Sequence, residues 1–310
     1  VQFVGRPRLA AELDGHGLHL TDFHGTDLRV HRTRMRFSTT PAAAAEADLV
    51  LVTVKSAGTA QAGAELAGVL KPEALVLSLQ NGIGNAQVLR KSLPRHMVLD
   101  GVVPFNVLNR GCGAFHQGSD GQLAAADHPL LRSLQPLFDL AGMPLRLYRD
   151  MLPVQWAKLL LNLNNPVNAL SNRPLREELS LRAYRRCLAL AQGEALQLLD
   201  AAGIRPARLT AVPASWMPGL LGLPDGVFRR LANKMLMIDP LARSSMWEDL
   251  ESGRRTEVDW INGEVLRLAE GLGRYAPVNT RLLALIRQAE QGGKRNWSGE
   301  DLLAELQAAG

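Results

Sequence analysis

The spacing of apolar and polar residues changes character about halfway along this chain. Val1–Val4 reads as a strand that ends in Gly5-Arg6-Pro7, and Arg8–Asp14 opens a helical pattern. Asp48–Lys55 holds an unbroken apolar run of strand length, which marks a strand buried on both faces. Ala74–Gln80 repeats that pattern, Met97–Leu99 starts another strand, and Thr59–Leu70 between them has helical spacing. Strands alternating with helices in this way predict a parallel α/β sheet. Residues 101–147, richer in Gly and Asn, are expected to add strands and turns that close it. After Asp150 the period becomes helical, over Val154–Leu163, Leu179–Ala202, Phe228–Met237, Glu257–Gly271 and Asn279–Gln291. Residues 206–226, interrupted by Pro and Gly, are expected to be a loop packed on its own domain.

The fold class expected is therefore an α/β Rossmann-type N-terminal domain, residues 1–149, followed by an all-α C-terminal domain, residues 150–310. A chain of 310 residues is long enough for two cores. With 46% hydrophobic and 21% charged residues it has the balance of a soluble protein, and no apolar run reaches the ~18 residues of a membrane span. Cys112 and Cys187 lie far apart and match no metal-ligand spacing, which points to a reduced, cytoplasmic protein without a metal. The net charge of +5 is spread among arginines that mostly alternate with acids, and only residues 29–36 are locally basic. Such scatter argues against nucleic acid and for a small anionic or phosphate-bearing partner.

Four stretches carry candidate chemistry. In a dinucleotide-binding unit the second strand ends beside the adenosine ribose, where an arginine suits a 2′-phosphate. Arg6 holds that place and would select NADPH, although an arginine after a strand is by itself more often a solvated charge. Lys55 closes the other buried strand and is a natural second partner for the phosphate. The stretch SLQNGIGN, residues 78–85, follows a buried strand; Asn81 offers a donor and an acceptor, though alone it reads as an ordinary Asn-Gly turn. In QWAKLLLNLNNPVNA, residues 155–169, Lys158, Asn162 and Asn165 recur at i, i+4 and i+7 among leucines. Asparagines compete with the helical backbone, so this stripe reads as a site, and Pro166 should end or kink the helix. Over residues 244–264, Glu257 stands in the first turn of a helix, where alone it would be a surface carboxylate favoured by the helix dipole.

In order and spacing these pieces resemble the ketopantoate reductase family: Gly5-Arg6-Pro7, Lys55, Gln80-Asn81-Gly82, Trp156 through Lys158 to Asn162, Ser244-Ser245-Met246, Arg255-Thr256-Glu257 and Pro277-Val278-Asn279. The resemblance implies NADPH-dependent reduction of ketopantoate, a 2-keto acid, to pantoate on the route to pantothenate and coenzyme A, and it leaves room for a homodimer. It implies Lys158 as general acid, Glu257 as substrate ligand, and Asn81, Asn162, Asn165 and Ser245 lining the substrate site, with Arg6, Lys55 and Asn81 on the cofactor side. Two departures touch the substrate pocket and leave a related 2-keto acid open: Ala242 stands where the family often has asparagine, and the asparagine helix is one residue shorter. A complete dinucleotide unit would also carry, before Val1, a first strand, a G-x-G-x-x-G turn and a helix, about 30 residues in all. Gly82-Ile83-Gly84 stands at the wrong place to replace them, so a break in the sheet beside the opening strand and loss of the pyrophosphate cradle are expected, and a truncated non-catalytic member with an impaired cofactor site is the alternative to a reductase.

Overall fold

The computed structural model describes residues 1–119, 121–231 and 241–310. They form two compact units: Val1–Gln80 with Gly84–Met151, and Leu152–Gly310 with Asn81–Ile83.

The first unit runs β1 (Gln2–Val4), α1 (Pro7–His16), β2 (Leu18–Asp22), β3 (Asp27–Val30), β4 (Arg36–Ser38), β5 (Leu49–Val52), α2 (Thr59–Ala67), β6 (Leu75–Ser78), α3 (Asn85–Ser92), β7 (Met97–Val102), β8 (Val107–Gly111), β9 (Ala114–Gln117), β10 (Leu123–Ala126), α4 (Pro129–Leu140) and β11 (Leu145–Tyr148). Its main sheet has the order β11-β10-β7-β6-β5. Strands β5, β6 and β7 are parallel, with Val50, Val76 and Val98 in register. Alternate residues of β6 point to opposite faces. Val76 packs with Val52, Val98 and Leu89 of α3, whereas Leu75 and Leu77 pack with Leu99 and with Leu131 and Phe138 of α4. Helices cover both faces, which is why Leu75–Ser78 is buried throughout and reads as a continuous apolar run.

The expected strand over Asp48–Lys55 is corrected in length and in setting. It stops at Val52, and Leu51 stays 40% exposed, so it is not buried on both faces. The reason is that β1 and β4 form a separate two-stranded parallel sheet, leaving β5 paired on one side. Phe3 and Val4 of β1 are exposed in turn. Residues 101–147 contain strands as expected, and also α4, whose start His128 caps by accepting from the Leu130 N–H. A four-stranded sheet, β3-β2-β9-β8, was not foreseen, because its strands are short and mostly half-buried or exposed.

The second unit is helical: α5 (Leu152–Asn162), α6 (Asn164–Ser171), α7 (Leu175–Ser180), α8 (Arg182–Ala201), α9 (Met217–Leu221), α10 (Asp225–Leu231), α11 (Ser245–Glu251), α12 (Val258–Gly271), α13 (Pro277–Glu290) and α14 (Gly299–Ala309). Leu188, Ala191, Ala195 and Leu198 on α8 recur at helical spacing and enter one core with Val265 of α12, Leu282 and Ile286 of α13 and Leu302 of α14. Arg185 is fully buried in the same helix. Its guanidinium donates to the carbonyls of Leu179, Leu221 and Leu223 and to Asp225, and stacks 4.1 Å from the Phe228 ring. A buried cation is tolerated when its N–H groups are matched in this way.

The single helix expected over Leu179–Ala202 is two, because Leu181 is extended (φ −102°, ψ 120°) between α7 and α8. The expected loop 206–226 contains α9, whose Met217 and Leu221 join the core. Of the helix expected at Phe228–Met237, the part to Leu231 lies in α10 and residues 232–237 lie outside the described residues. No described helix is long and apolar enough to cross a membrane. Cys112 and Cys187 are free thiols.

Candidate active site

Lys158 and Asn162 sit one turn apart on α5, and both are buried. The helix ends there. Pro166 lacks an N–H and is tolerated in a first helical turn, so a new helix, α6, starts at Asn164 after the single residue Leu163. The expected stripe of Lys158, Asn162 and Asn165 is therefore broken. Asn165 lies on α6, where its carbonyl accepts from the Ser244 hydroxyl at 3.3 Å. Asn164 and Asn168 turn elsewhere, to the carboxyl of Glu178 at 3.4 and 2.7 Å.

Asn81 reaches the helical unit through the turn that follows β6. Gly82 has φ +83°, and a Cβ there would stand 2.6 Å from the carbonyl oxygen of Trp260 on α12. Only glycine permits that approach. Ile83 packs on the helical core beside it. The Asn81 amide donates to Glu257 at 3.1 Å and accepts from the Asn162 amide at 3.4 Å. The structure thus joins three of the expected residues in one directed chain, Asn162 to Asn81 to Glu257, with Lys158 a turn from its start. Glu257 occupies the N-cap position of α12, yet its side chain makes no cap bond and is turned to Asn81 instead.

Burial acts strongly on Lys158. Desolvation penalises its charged form and lowers its pKa from 10.5 to about 8. Glu178 is shifted the other way by the same cause, from 4.5 up to about 8, against the opposing pull of the Asn168 and Asn164 amides. Asn168 also accepts from the Ser244 N–H at 2.8 Å, so this buried cluster seats the start of α11. Ser245, the first residue of α11, is exposed, and no hydrogen bond joins it or the Asn165 side chain to the Asn81 chain among the described residues. Asn279 is buried and structural. It donates to Glu194 and the Ala191 carbonyl and accepts from Asn262.

Sequence patterns gave no sign of a second polar cluster, at the carboxyl ends of β5 and β6. Gln80 donates to the Val54 carbonyl and the Thr59 hydroxyl and accepts from Ser78, and Asn85 donates to Ser56. Apart from Gln80 in its Gln-Asn-Gly step, these are ordinary turn residues in the sequence. Arg6 and Lys55 are both exposed, at the carboxyl ends of β1 and β5 and each just before a helical turn. Each, taken singly, has the chemistry to meet a phosphate group. Of the glycines after the parallel strands, Gly84, the N-cap residue of α3, has nothing within 4 Å of a would-be Cβ and leaves room for a phosphate group, whereas Gly5 and Gly82 are closed in. The space beside Gly5 is filled by the Phe37 ring, 2.7 Å from a would-be Cβ, and that beside Gly82 by Trp260.

The sequence matches the family description "Ketopantoate reductase PanE/ApbA" over residues 1–129 and "Ketopantoate reductase PanE/ApbA C terminal" over residues 150–290. It is 29% identical over 298 residues to the 2-dehydropantoate 2-reductase of Halobacterium salinarum, covering 92% of each chain. The structure superposes on a PanE/ApbA family ketopantoate reductase from Ralstonia eutropha with a TM-score of 0.76 at 29% identity, covering 93% of this chain and 89% of that one. It shares the fold of a D-mandelate dehydrogenase solved with NADH and anilino(oxo)acetate (TM-score 0.74, 17% identity, 93% and 90% covered).

Two outcomes follow from this geometry. Gly82→Ala meets both a left-handed backbone and the Trp260 carbonyl, whereas Gly84→Ala (φ +87°) meets the backbone penalty alone, with nothing within 4 Å. Urea unfolding should show Gly84→Ala costing about 1 kcal/mol and Gly82→Ala clearly more, about 2–3 kcal/mol. The folded pKa of Glu178 is raised, so its contribution to stability is complete below about pH 4.5 and is lost as pH rises towards about 8. Glu178→Gln, neutral at every pH, should flatten the stability profile over that window.

Proposed function

Because the chain belongs to the ketopantoate reductase family, we propose that it reduces ketopantoate to pantoate with NADPH, using Lys158 as general acid. The observation that carries this reading is the buried Lys158, one helical turn from the amide chain that ends on Glu257. A nicotinamide cofactor, when bound, supplies the hydride. Hydride addition to a ketone carbon leaves an alkoxide, which needs both stabilisation and a proton. The Lys158 ammonium meets both needs, and a pKa near 8 leaves it protonated yet able to give up the proton near neutral pH. Its neutral amine then regains a proton from solvent. Glu257, turned away from its own helix, accepts from the substrate hydroxyl, while Asn81 and Asn162 hold the polar end of the substrate without adding a competing charge. Ser245, exposed on the first turn of α11, and Asn165 complete the contacts to substrate. Arg6 and Lys55 receive the 2′-phosphate and give NADPH its advantage over NADH.

One observation favours a second substrate. Ala242 is buried and has no side-chain donor where the family often places asparagine, so a 2-keto acid with one polar group fewer is accommodated as well.

Titrating the protein with NADPH and NADH by nucleotide fluorescence should show tighter binding of NADPH, and Arg6→Ala should erase the difference. Lys158→Ala, and Lys158→Met with its volume kept, should lower kcat for ketone reduction by about 10²–10⁴-fold. For the unmodified protein, kcat/KM should fall as pH rises through about 8, where the ammonium is lost. Turnover of both Lys158 variants at the rate of the unmodified protein would remove lysine from the mechanism.

A further inference from the structure

We infer that Glu290, the last residue of α13, is a positioning residue for Glu257 and acts through Thr256; the inference rests on the role given to Glu257 above. One oxygen of Glu290 accepts two hydrogen bonds from Thr256, from its backbone N–H at 2.8 Å and from its hydroxyl at 2.7 Å. The same hydroxyl accepts from the Val258 N–H at 3.3 Å. Because the hydroxyl gives its proton to the carboxylate, its lone pairs are left for the helix. Thr256 therefore caps α12 in place of Glu257, and Glu290 sets the direction of that cap. The residues on both sides of Glu257 are thus tied, and its side chain is released from capping to meet Asn81.

Thr256 is buried, so without Glu290 its N–H and hydroxyl lose their acceptor where water cannot replace it. The first turn of α12 is then free to re-form with Glu257 as its cap, which withdraws the carboxylate from the site. Nothing in this arrangement requires the charge of Glu290, since an amide oxygen accepts the same two bonds.

The test compares Glu290→Ala, Glu290→Gln, Glu257→Gln and the Glu290→Ala/Glu257→Gln double variant in the full chain. Ketoacid binding is followed by calorimetry with ketopantoate, and kcat/KM is measured with NADPH. Glu290→Ala should weaken ketopantoate binding and lower kcat/KM by about tenfold to a hundredfold while NADPH affinity is unchanged. Glu290→Gln should recover most of the loss, and the double variant should be no worse than Glu257→Gln alone. Losses that add in the double variant, or a folded Glu290→Ala that binds and turns over normally, would overturn the positioning role and leave that of Glu257 standing. A silent Glu257→Gln would overturn the role of Glu257 and this inference with it. If Glu290→Ala does not fold, Thr256→Val removes the same hydroxyl and is read by the same measurements.

Discussion

The carbonyl oxygen of Trp260 stands 2.6 Å from where a side chain on residue 82 would begin, and the candidate site depends on that approach. Because residue 82 is glycine in a left-handed conformation, the turn after β6 can lie against the first turn of α12. Asn81–Ile83 consequently belong to the helical unit, although their neighbours in sequence, Gln80 and Gly84, belong to the sheet unit. Asn81 gains two partners that are distant in sequence, Asn162 and Glu257, and the three make one directed chain. An ordinary Asn-Gly turn has become the element that delivers a side chain to the site.

Burial then decides what the ionisable groups of the helical unit can do. The N–H groups of the Arg185 guanidinium are met in the core by three carbonyls and Asp225. Glu178 has two amide donors, too few to offset its desolvation, and is pushed towards the neutral acid. Lys158 is shifted by desolvation as the leading cause and is brought within reach of proton transfer near neutral pH. The same low-dielectric surroundings move the pKa values of these last two groups in opposite directions, each towards its neutral form, because protein groups do not fully replace water around the charge.

The pair α12 and α13 supplies the rigidity that this arrangement needs. Asn262 and Asn279 join the two helices, Glu194 receives the first N–H groups of α13, and Glu290 holds Thr256 at the other end. Asn279 is a member of the family pattern, but its partners make it part of this frame. A motif residue can thus recur for the sake of the frame alone.

The sequence by itself determined the division into a sheet-bearing and a helical half, the buried strand β6, and the pairing of Lys158 with Asn162. Each of these is a local matter: a period of 2 or 3.6 reports which residues are buried, and i, i+4 spacing places two side chains on one helix face. Local patterns report burial but not partners. Ala74–Gln80 and Asp48–Lys55 look alike in sequence, yet one strand is central and the other an edge, because only the sheet order settles that. The break at Leu163 that separates Asn165 from Asn162 was announced by Pro166, whereas the turn of Asn164 and Asn168 towards Glu178 was not. Asn81 and Glu257 are 176 residues apart, and no spacing rule reaches across such a distance. What joins them is the contact of one glycine with one carbonyl, and that exists only once the chain has folded.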